Sequence, residues 1–286
     1  MDKNRLVYRL RVSLPAFITG KVKKNLISAY WRYDHNNFGD LLTPLILKHY
    51  GLSPIHAYPH KAQLASVGTL LGFMDPDFKG YLLGTGIDKA DTKEFPQATA
   101  IGLRGRLTQK ALNLENRNDI VLGDPGLLIS SIFPNRKEKK WKLGIIPHLS
   151  EVNHPILNEW KKKYKEEVKF INPLRNPEIV IGEIDECENI FSSSLHGLII
   201  ADSFEIPNCR FTTEGDHVYK YNDFRFEDYY STLNVEGTKI TVNGSESLEY
   251  ILSNMRSDFS MLPLIKENLN KMFQCFASNF LKKEKQ

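Results

Sequence analysis

Short runs of strand-forming residues alternate along this chain with segments of helical period, and one charged, aperiodic stretch interrupts the alternation near its middle. Leu26–Tyr33 (LISAYWRY) reads as the first strand. The polar loop DHNNFGD follows, and a helix begins near Leu41, with Leu42, Leu45, Ile46 and His49 on helical spacing and Gly51 as its stop. Leu64–Val67, Tyr81–Leu83 and Thr99–Leu103 read as further strands, Gly105–Leu114 as a helix, and Ile120–Leu122 as a strand ending in GDPG. Pro134–Lys142 (PNRKEKKWK) shows neither period and reads as a linker. Beyond it come strand Leu143–Ile146, helix Pro155–Glu167, strand Val168–Ile171, a helical patch at Pro177–Glu186, strand Asn189–Ser192 and a helix from Leu195 to Phe204. Ser245–Phe280 reads as helical. Such alternation predicts parallel sheets, so the expected class is α/β, with two Rossmann-like domains, 1–137 and 138–286, facing a cleft. Ligands of open α/β sheets meet the carboxyl ends of the strands, which places the expected site in that cleft.

At 286 residues, with 41% hydrophobic and 25% charged residues, the chain has the make-up of an ordinary globular protein, and nothing in its composition suggests disorder. A net charge of +4 is too weak to point to nucleic acid, and no nucleic-acid partner is expected. The positive charge concentrates in residues 1–25, which hold seven Lys or Arg against one acid, Asp2. Cys187, Cys209 and Cys275 are widely spaced and odd in number, which argues against a disulfide framework or zinc site and suits a reducing cytosol. Arg9 and Arg11 interrupt the apolar residues between Leu6 and Leu10, so no signal peptide is expected, and no apolar run reaches the length of about 18 that would span a membrane. The expected location is cytoplasmic. No metal-ligand spacing, GxGxxG or Walker pattern occurs, so neither a metal nor a nucleotide cofactor is expected.

Four segments place polar residues directly after an apolar strand. In Asn36-Asn37-Phe38-Gly39-Asp40, Asp40 stands where a helix N-cap is expected, so capping competes with a binding role; Asn36, Asn37 and the glycine suit a loop whose amides meet a ligand. Leu83-Gly84-Thr85-Gly86 would let backbone approach a ligand closely, although a tight turn is the simpler explanation. Arg104, in GLRGR, ends a strand where its guanidinium can fork onto a carboxylate or phosphate, or form a salt bridge. Asp124 in LGDPG is similarly placed and reads as a turn carboxylate holding backbone amides. The most informative segment is Phe191-Ser192-Ser193-Ser194-Leu195-His196-Gly197. Its hydroxyls, amides and helix dipole together favour an anion. His196 there is a candidate general acid, against the plain alternative of a polar surface residue. Pro147-His148 ends the first strand after the linker and points to the same cleft.

Taken in order, NNFGD (36–40), GTG (84–86), the RG of LRG (103–105), LGDPGLL (122–128), LGIIPH (143–148), SSSLHGLIIADSFEIP (192–207) and KYNDFRFEDYY (220–230) resemble the polysaccharide pyruvyl transferase family. The resemblance implies a fold similar to the two-domain glycosyltransferases (glycosyltransferase-B-like), with the acceptor on the 1–137 side and phosphoenolpyruvate on the 138–286 side. It implies transfer of a pyruvyl group from phosphoenolpyruvate, as a ketal, to a sugar of a surface polysaccharide or its lipid-linked precursor. His196 would be the acid, Asp40 a base or hydroxyl orienter, and Arg104 with Ser192, Ser193 and Ser194 the anion holders. Leu195, His148, Lys220 and Arg225 would complete the donor side, and Asn36, Asn37, Gly84, Thr85 and Gly86 the acceptor side. One position departs: many members carry an Arg before L-H-G where this chain has Ser194, which leaves the donor's cationic partners to Arg104, Lys220 and Arg225.

Two other functions stay open at this point. A nucleotide-sugar glycosyltransferase of the same shape would need an acid on the ribose, for which Glu183, Asp185 and Glu186 are candidates. A catalytically idle sugar-binding protein would account for Ser194. The chain ends also raise the question of a surface partner. Residues 3–24 and 264–283 each combine an apolar stripe with lysines or arginines, and each stripe either packs on the protein's own core or meets an anionic membrane. Pro15 and Gly20 argue against a long core helix in the first.

Overall fold

The computed structural model describes residues 14–33, 36–89, 91, 93–213 and 222–283. Lys220, the first half of the basic N-terminal segment (1–13) and Asp34-His35 of the first loop lie outside the described residues. The elements run α1 (Leu14–Lys23), β1 (Leu26–Tyr30), α2 (Leu42–His49), β2 (Ser53–His56), β3 (Leu64–Ala65), β4 (Tyr81–Thr85), β5 (Thr99–Leu103), α3 (Arg106–Ala111), β6 (Val121–Leu122) and α4 (Ile129–Ile132). After the charged stretch come β7 (Leu143–Ile146), α5 (Pro155–Lys163), β8 (Val168–Phe170), α6 (Pro177–Asp185), β9 (Ile190–Ser192), α7 (Leu195–Ser203), β10 (Asn208–Thr213), α8 (Asn222–Leu233), β11 (Lys239–Val242), α9 (Leu248–Ser253) and α10 (Leu262–Lys283).

The strands form two sheets, β2-β1-β3-β4-β5-β6 and β11-β10-β9-β7-β8. Every ladder within them is parallel. The chain is therefore mixed α/β with two parallel sheets, as the alternation predicts. All four residues of β7 and all three of β9 are buried, the mark of strands covered on both faces. The edge strand β11 instead alternates exposed and buried residues.

Three strands escape a reading from periodicity, each for a local reason. β2 contains Pro54, which a sheet tolerates at the edge position that β2 occupies. β10 buries polar Asn208 and Arg210, so it shows no apolar run. β11 is short and half exposed. The stretch Ser245–Phe280 is two helices, not one. Arg256 exchanges backbone hydrogen bonds with Asn208 at 2.9 and 3.0 Å, which draws the chain out of helix between α9 and α10.

The charged stretch 134–142 lacks regular structure but is pinned along its length. Arg136 and the Lys137 amide both bond to Asp185 at 2.7 Å. Lys139 donates to the carbonyls of Asp185 and Cys187 at 2.8 Å, and Lys140 N to Glu186 O at 2.8 Å.

Two helices from the second half of the chain return to the first sheet. Met272 of α10 lies against Gly102, Ile265 and Leu269 against Gly123, and Phe276 meets Tyr81 edge-on at 5.1 Å. Phe273 stacks on Tyr50 at 5.2 Å. The apolar stripe of α10 thus packs on the protein's own core. One core cluster consequently runs from Ile27 and Leu42 through Ile181 and Leu198 to Phe273. On α1, by contrast, Phe17, Ile18 and Val22 are exposed beside Lys21, Lys23 and Lys24.

Candidate functional site

The turn from β9 into α7 is the centre of the site. All nine residues of α7 are buried, and its N-cap, Ser194, has extended backbone and no side-chain capping bond. The first amides of the helix therefore lack intrahelical acceptors, and the helix dipole is positive at this end. The three serines divide their work. Ser192 Oγ lies 2.9 Å from the carbonyl oxygens of Ile146 and Ser194 and accepts from Ser194 N at 3.0 Å, which shapes the turn. Ser193 donates to the carboxylate of buried Glu151 and accepts from His148 N at 2.8 Å. The Ser194 hydroxyl alone of the three has no partner among the described residues.

The first loop reaches this turn from the other sheet. Phe38 N donates to Pro173 O at 2.9 Å, and the Phe38 ring meets His196 edge-on at 6.4 Å. Gly39 lies flat against the His196 ring, and a Cβ at that position would overlap Nδ1. Glycine at 39 is thus a condition for this His196 rotamer. Leu41, not Asp40, is the N-cap of α2, and no side chain caps it. Capping therefore does not account for Asp40. Its carboxylate accepts from Asn37 Nδ2 at 3.2 Å and faces Gly68, past the end of β3.

His196 is buried, and its Nε2 has no hydrogen-bond partner among the described residues. Burial, followed by the positive charges of Arg104 and Arg225, pushes its pKa down to about 3, so the ring is neutral at physiological pH. His148, whose Nδ1 lies 2.9 Å from Ser150 Oγ, is pushed down to about 4 by burial and then by Arg225. Arg225, on α8, is itself lowered to about 10, by burial first and then by the charge of Arg104, against the opposing pull of Asp40 and Asp88. Its charge acts on both histidines and is acted on by both aspartates. Arg225 is thus a cation felt by groups from the loops of both sheets.

Arg104 has a different place from the one expected. It is fully buried, and each guanidinium nitrogen donates to the protein: Nε to Asp228 at 2.8 Å, Nη1 to Thr69 at 2.8 Å and Nη2 to the Ile87 carbonyl at 2.5 Å. Asp228 also accepts from the amide and hydroxyl of Thr108, at 2.7 and 2.6 Å. This ion pair fastens α8 to the first sheet. Gly84, Thr85 and Gly86 are likewise spent on the fold. Gly84, at φ +90°, has Pro125 against it; Thr85 donates to Gly68 O at 2.9 Å; Gly86 lies against the Arg104 guanidinium. Asp124 accepts from Gly126 N at 2.8 Å, as a turn carboxylate does, and burial raises its pKa to about 6.

The acids considered for a ribose are also engaged, in and just after the second half of α6. Glu183 pairs with Arg175 and Lys169 at 3.0 and 3.1 Å, Asp185 with Arg136, and Glu186 with Lys137 and Lys140. Leu195 and Asn36 border the site, Asn36 in a left-handed backbone conformation with φ 49°. Glu151 and Asp228 were not legible in the sequence. Each lies among polar neighbours with no spacing to mark it, and only the fold buries it against its partner. Among the described residues no cluster of His, Cys, Asp or Glu is arranged to hold a metal ion. No helix among them is long and apolar enough to cross a membrane.

The chain is 26% identical over 216 residues to the succinoglycan biosynthesis protein ExoV of Rhizobium meliloti, covering 72% of this chain and 64% of that protein. It is 30% identical over 166 residues to the uncharacterised protein L143 of Acanthamoeba polyphaga mimivirus, covering 54% and 55%. The matches thus span less than two thirds of these relatives' own length. A solved structure of an uncharacterised protein from Klebsiella pneumoniae matches 85% of this chain and 100% of its own, with a TM-score of 0.41 at 13% identity. The profile of the polysaccharide pyruvyl transferases matches residues 7–215, and the chain belongs to that family.

Proposed function

We propose that this chain joins pyruvate, taken from phosphoenolpyruvate, as a ketal to two hydroxyls of a sugar in a polysaccharide or its lipid-linked precursor. In this reading two Rossmann-like, glycosyltransferase-B-like halves present their strand ends to each other, in the cytoplasm. The observation that carries it is the buried Nε2 of His196, unpartnered among the described residues and set at the start of α7 within reach of the Arg225 charge. Arg225 stands in for the arginine that position 194 lacks. With the Ser194 hydroxyl and the first amides of α7, it meets the donor's phosphate and carboxylate.

The reaction balances without a further reactant. Protonation of the donor's methylene carbon makes a methyl group and leaves C2 electron-poor. One sugar hydroxyl adds to C2 and a second displaces phosphate. Of the two hydroxyl protons released, one offsets the proton delivered to carbon and the other leaves with the phosphate. His196 delivers the first proton, and Asp40 orients the hydroxyls or accepts their protons. No cofactor enters this scheme.

His196 is neutral in the free protein because burial and two arginines disfavour its charged form. The donor's negative charges act in the opposite sense, so donor binding raises this pKa and draws a proton onto the ring. Titration calorimetry with phosphoenolpyruvate, in buffers of different ionisation enthalpy, is expected to show uptake of up to one proton near neutral pH, shrinking as pH rises past the bound-state pKa. Heat independent of the buffer would remove His196 as the acid. Product analysis separates the remaining alternative: a carboxyethylidene group and free phosphate support the pyruvyl transferase, whereas a transferred hexose from a nucleotide sugar would replace it. The engaged state of Glu183, Asp185 and Glu186 disfavours that alternative.

The exposed Phe17, Ile18 and Val22 of α1, beside Lys21, Lys23 and Lys24, suit reversible contact with an anionic membrane. Each basic residue near such a surface contributes about 1 kcal/mol, screened by salt. Co-sedimentation with anionic vesicles is expected at low salt, reduced at high salt and on deletion of residues 1–24. Binding that survives the deletion would assign this face another purpose.

A further inference from the structure

A row of ring and guanidinium side chains crosses the carboxyl ends of β2, β1 and β3. His56 ends β2, Arg32 and Tyr33 follow β1, and Phe73 closes the short turn Leu71–Phe73 after β3. His56 is ringed by aromatic contacts: Tyr33 at 4.4 Å and 75°, and Tyr58 at 5.7 Å and 82°. Tyr58 and His60 lie nearly parallel, 5° apart with centroids at 6.3 Å. At the other end of the row, the Arg32 guanidinium sits 4.4 Å over the Phe73 ring. The outermost rings remain half in solvent, Tyr58 at 47% and Phe73 at 52% exposure, and His60 is exposed.

Mutual packing explains why the inner rings are ordered. It does not explain why large flat rings stand outward at both ends of the row, on the sheet edge where ligands bind. The backbone beneath is stiff: Pro59 opens the turn Pro59–Lys61 that carries His60, and Ala57 N is held by Ala29 O at 2.9 Å. The row also adjoins the reacting site, since Asp40 faces Gly68 just beyond β3. An isolated exposed aromatic residue needs no explanation, whereas a row of them at a strand edge does.

We propose that this row is an extended saccharide-binding ledge, which takes the sugar residues of an oligosaccharide or polysaccharide on either side of the one that reacts. A pyranose ring presents C–H groups on its faces and hydroxyls on its rim. Exposed ring faces such as Tyr58 and Phe73 complement the first, and the exposed imidazole of His60 supplies a polar partner for the second. A polymeric acceptor offers several such rings in a row and therefore needs more surface than one catalytic pocket provides. The inference rests on the saccharide-acceptor reading of this site, and its test does not use transfer.

The full chain, without donor, is applied to an array of bacterial surface oligosaccharides of one to eight sugars. Retention is expected to grow with length, with chains of three or more sugars held at least about tenfold more tightly than single sugars. Tyr58→Ala and Phe73→Ala are each expected to weaken oligosaccharide binding by roughly tenfold, equivalent to about 1.4 kcal/mol, with monosaccharide binding and the thermal shift given by phosphoenolpyruvate unchanged. Tyr58→Phe and Phe73→Tyr keep a ring and should bind as the parent does. No retention, retention independent of length, or oligosaccharide binding untouched by the two alanine variants would overturn the ledge. Retention lost in those variants, in a protein that forms no ketal, would leave the ledge standing and remove the pyruvyl-transfer reading instead.

Discussion

His196→Ala is expected to lower turnover by roughly 10²–10⁴-fold while leaving the fold in place, the range for loss of a positioned general acid. The fold should tolerate the change because Nε2 makes no hydrogen bond to the described residues, so no buried partner among them is stranded. The lost ring leaves space beside Phe38 and Gly39, and a moderate fall in melting temperature should accompany the loss. His196→Asn is the sharper variant. It keeps a polar side chain in the space but cannot carry a proton, so it should be nearly as slow as alanine and should abolish proton uptake on donor binding. Turnover within about threefold of the parent in a folded His196→Asn protein would place the acid elsewhere, with His148 the next group to examine.

Asp228→Ala is expected to destabilise the protein by about 3–5 kcal/mol, because it strands the buried charge of Arg104. The amide and hydroxyl of Thr108 lose their acceptor at the same time. Against a total stability of about 5–15 kcal/mol for an ordinary domain, this is a large share. The loss should also reach the site, since α8 carries both Asp228 and Arg225, and donor affinity should fall with stability. Urea unfolding measures the first, and a thermal shift with phosphoenolpyruvate the second. If the single variant does not fold, the double variant Arg104→Met with Asp228→Leu still decides the matter. Removing both charges leaves neither stranded, so the double variant should be more stable than Asp228→Ala. A single-variant loss below about 1 kcal/mol, or a double variant no better than the single, would show that Arg104 is not held as a buried pair.

The contrast between Arg104 and Arg225 shows how far the sequence reaches. Both lie in segments that resemble the family, and position along the chain makes Arg104 the better anion holder, at a strand end just before a helix. Its partner Asp228 lies 124 residues further on, and no local pattern joins the two. Once α8 docks on the first sheet, Asp228 meets Arg104 and buries it, and Arg225, three residues earlier, is carried toward His196 and Asp40.

The same division runs through the rest of the molecule. Period and strand–loop–helix order are local properties, so the sequence by itself determined the parallel α/β class and the placing of polar loops after β1, β7 and β9. It also determined that a histidine opens α7, and the family follows from those loops in their order. Only the tertiary structure decided which of those polar groups the fold itself satisfies. Burial and hydrogen bonding distribute them by long-range packing: Thr85 and Gly86 turn inward to Gly68 and Arg104, Ser193 is taken up by Glu151, and the hydroxyl of Ser194 and Nε2 of His196 stay unspent. A polar residue that the fold has already satisfied is structure, and one that it leaves unsatisfied in a buried turn is available for chemistry.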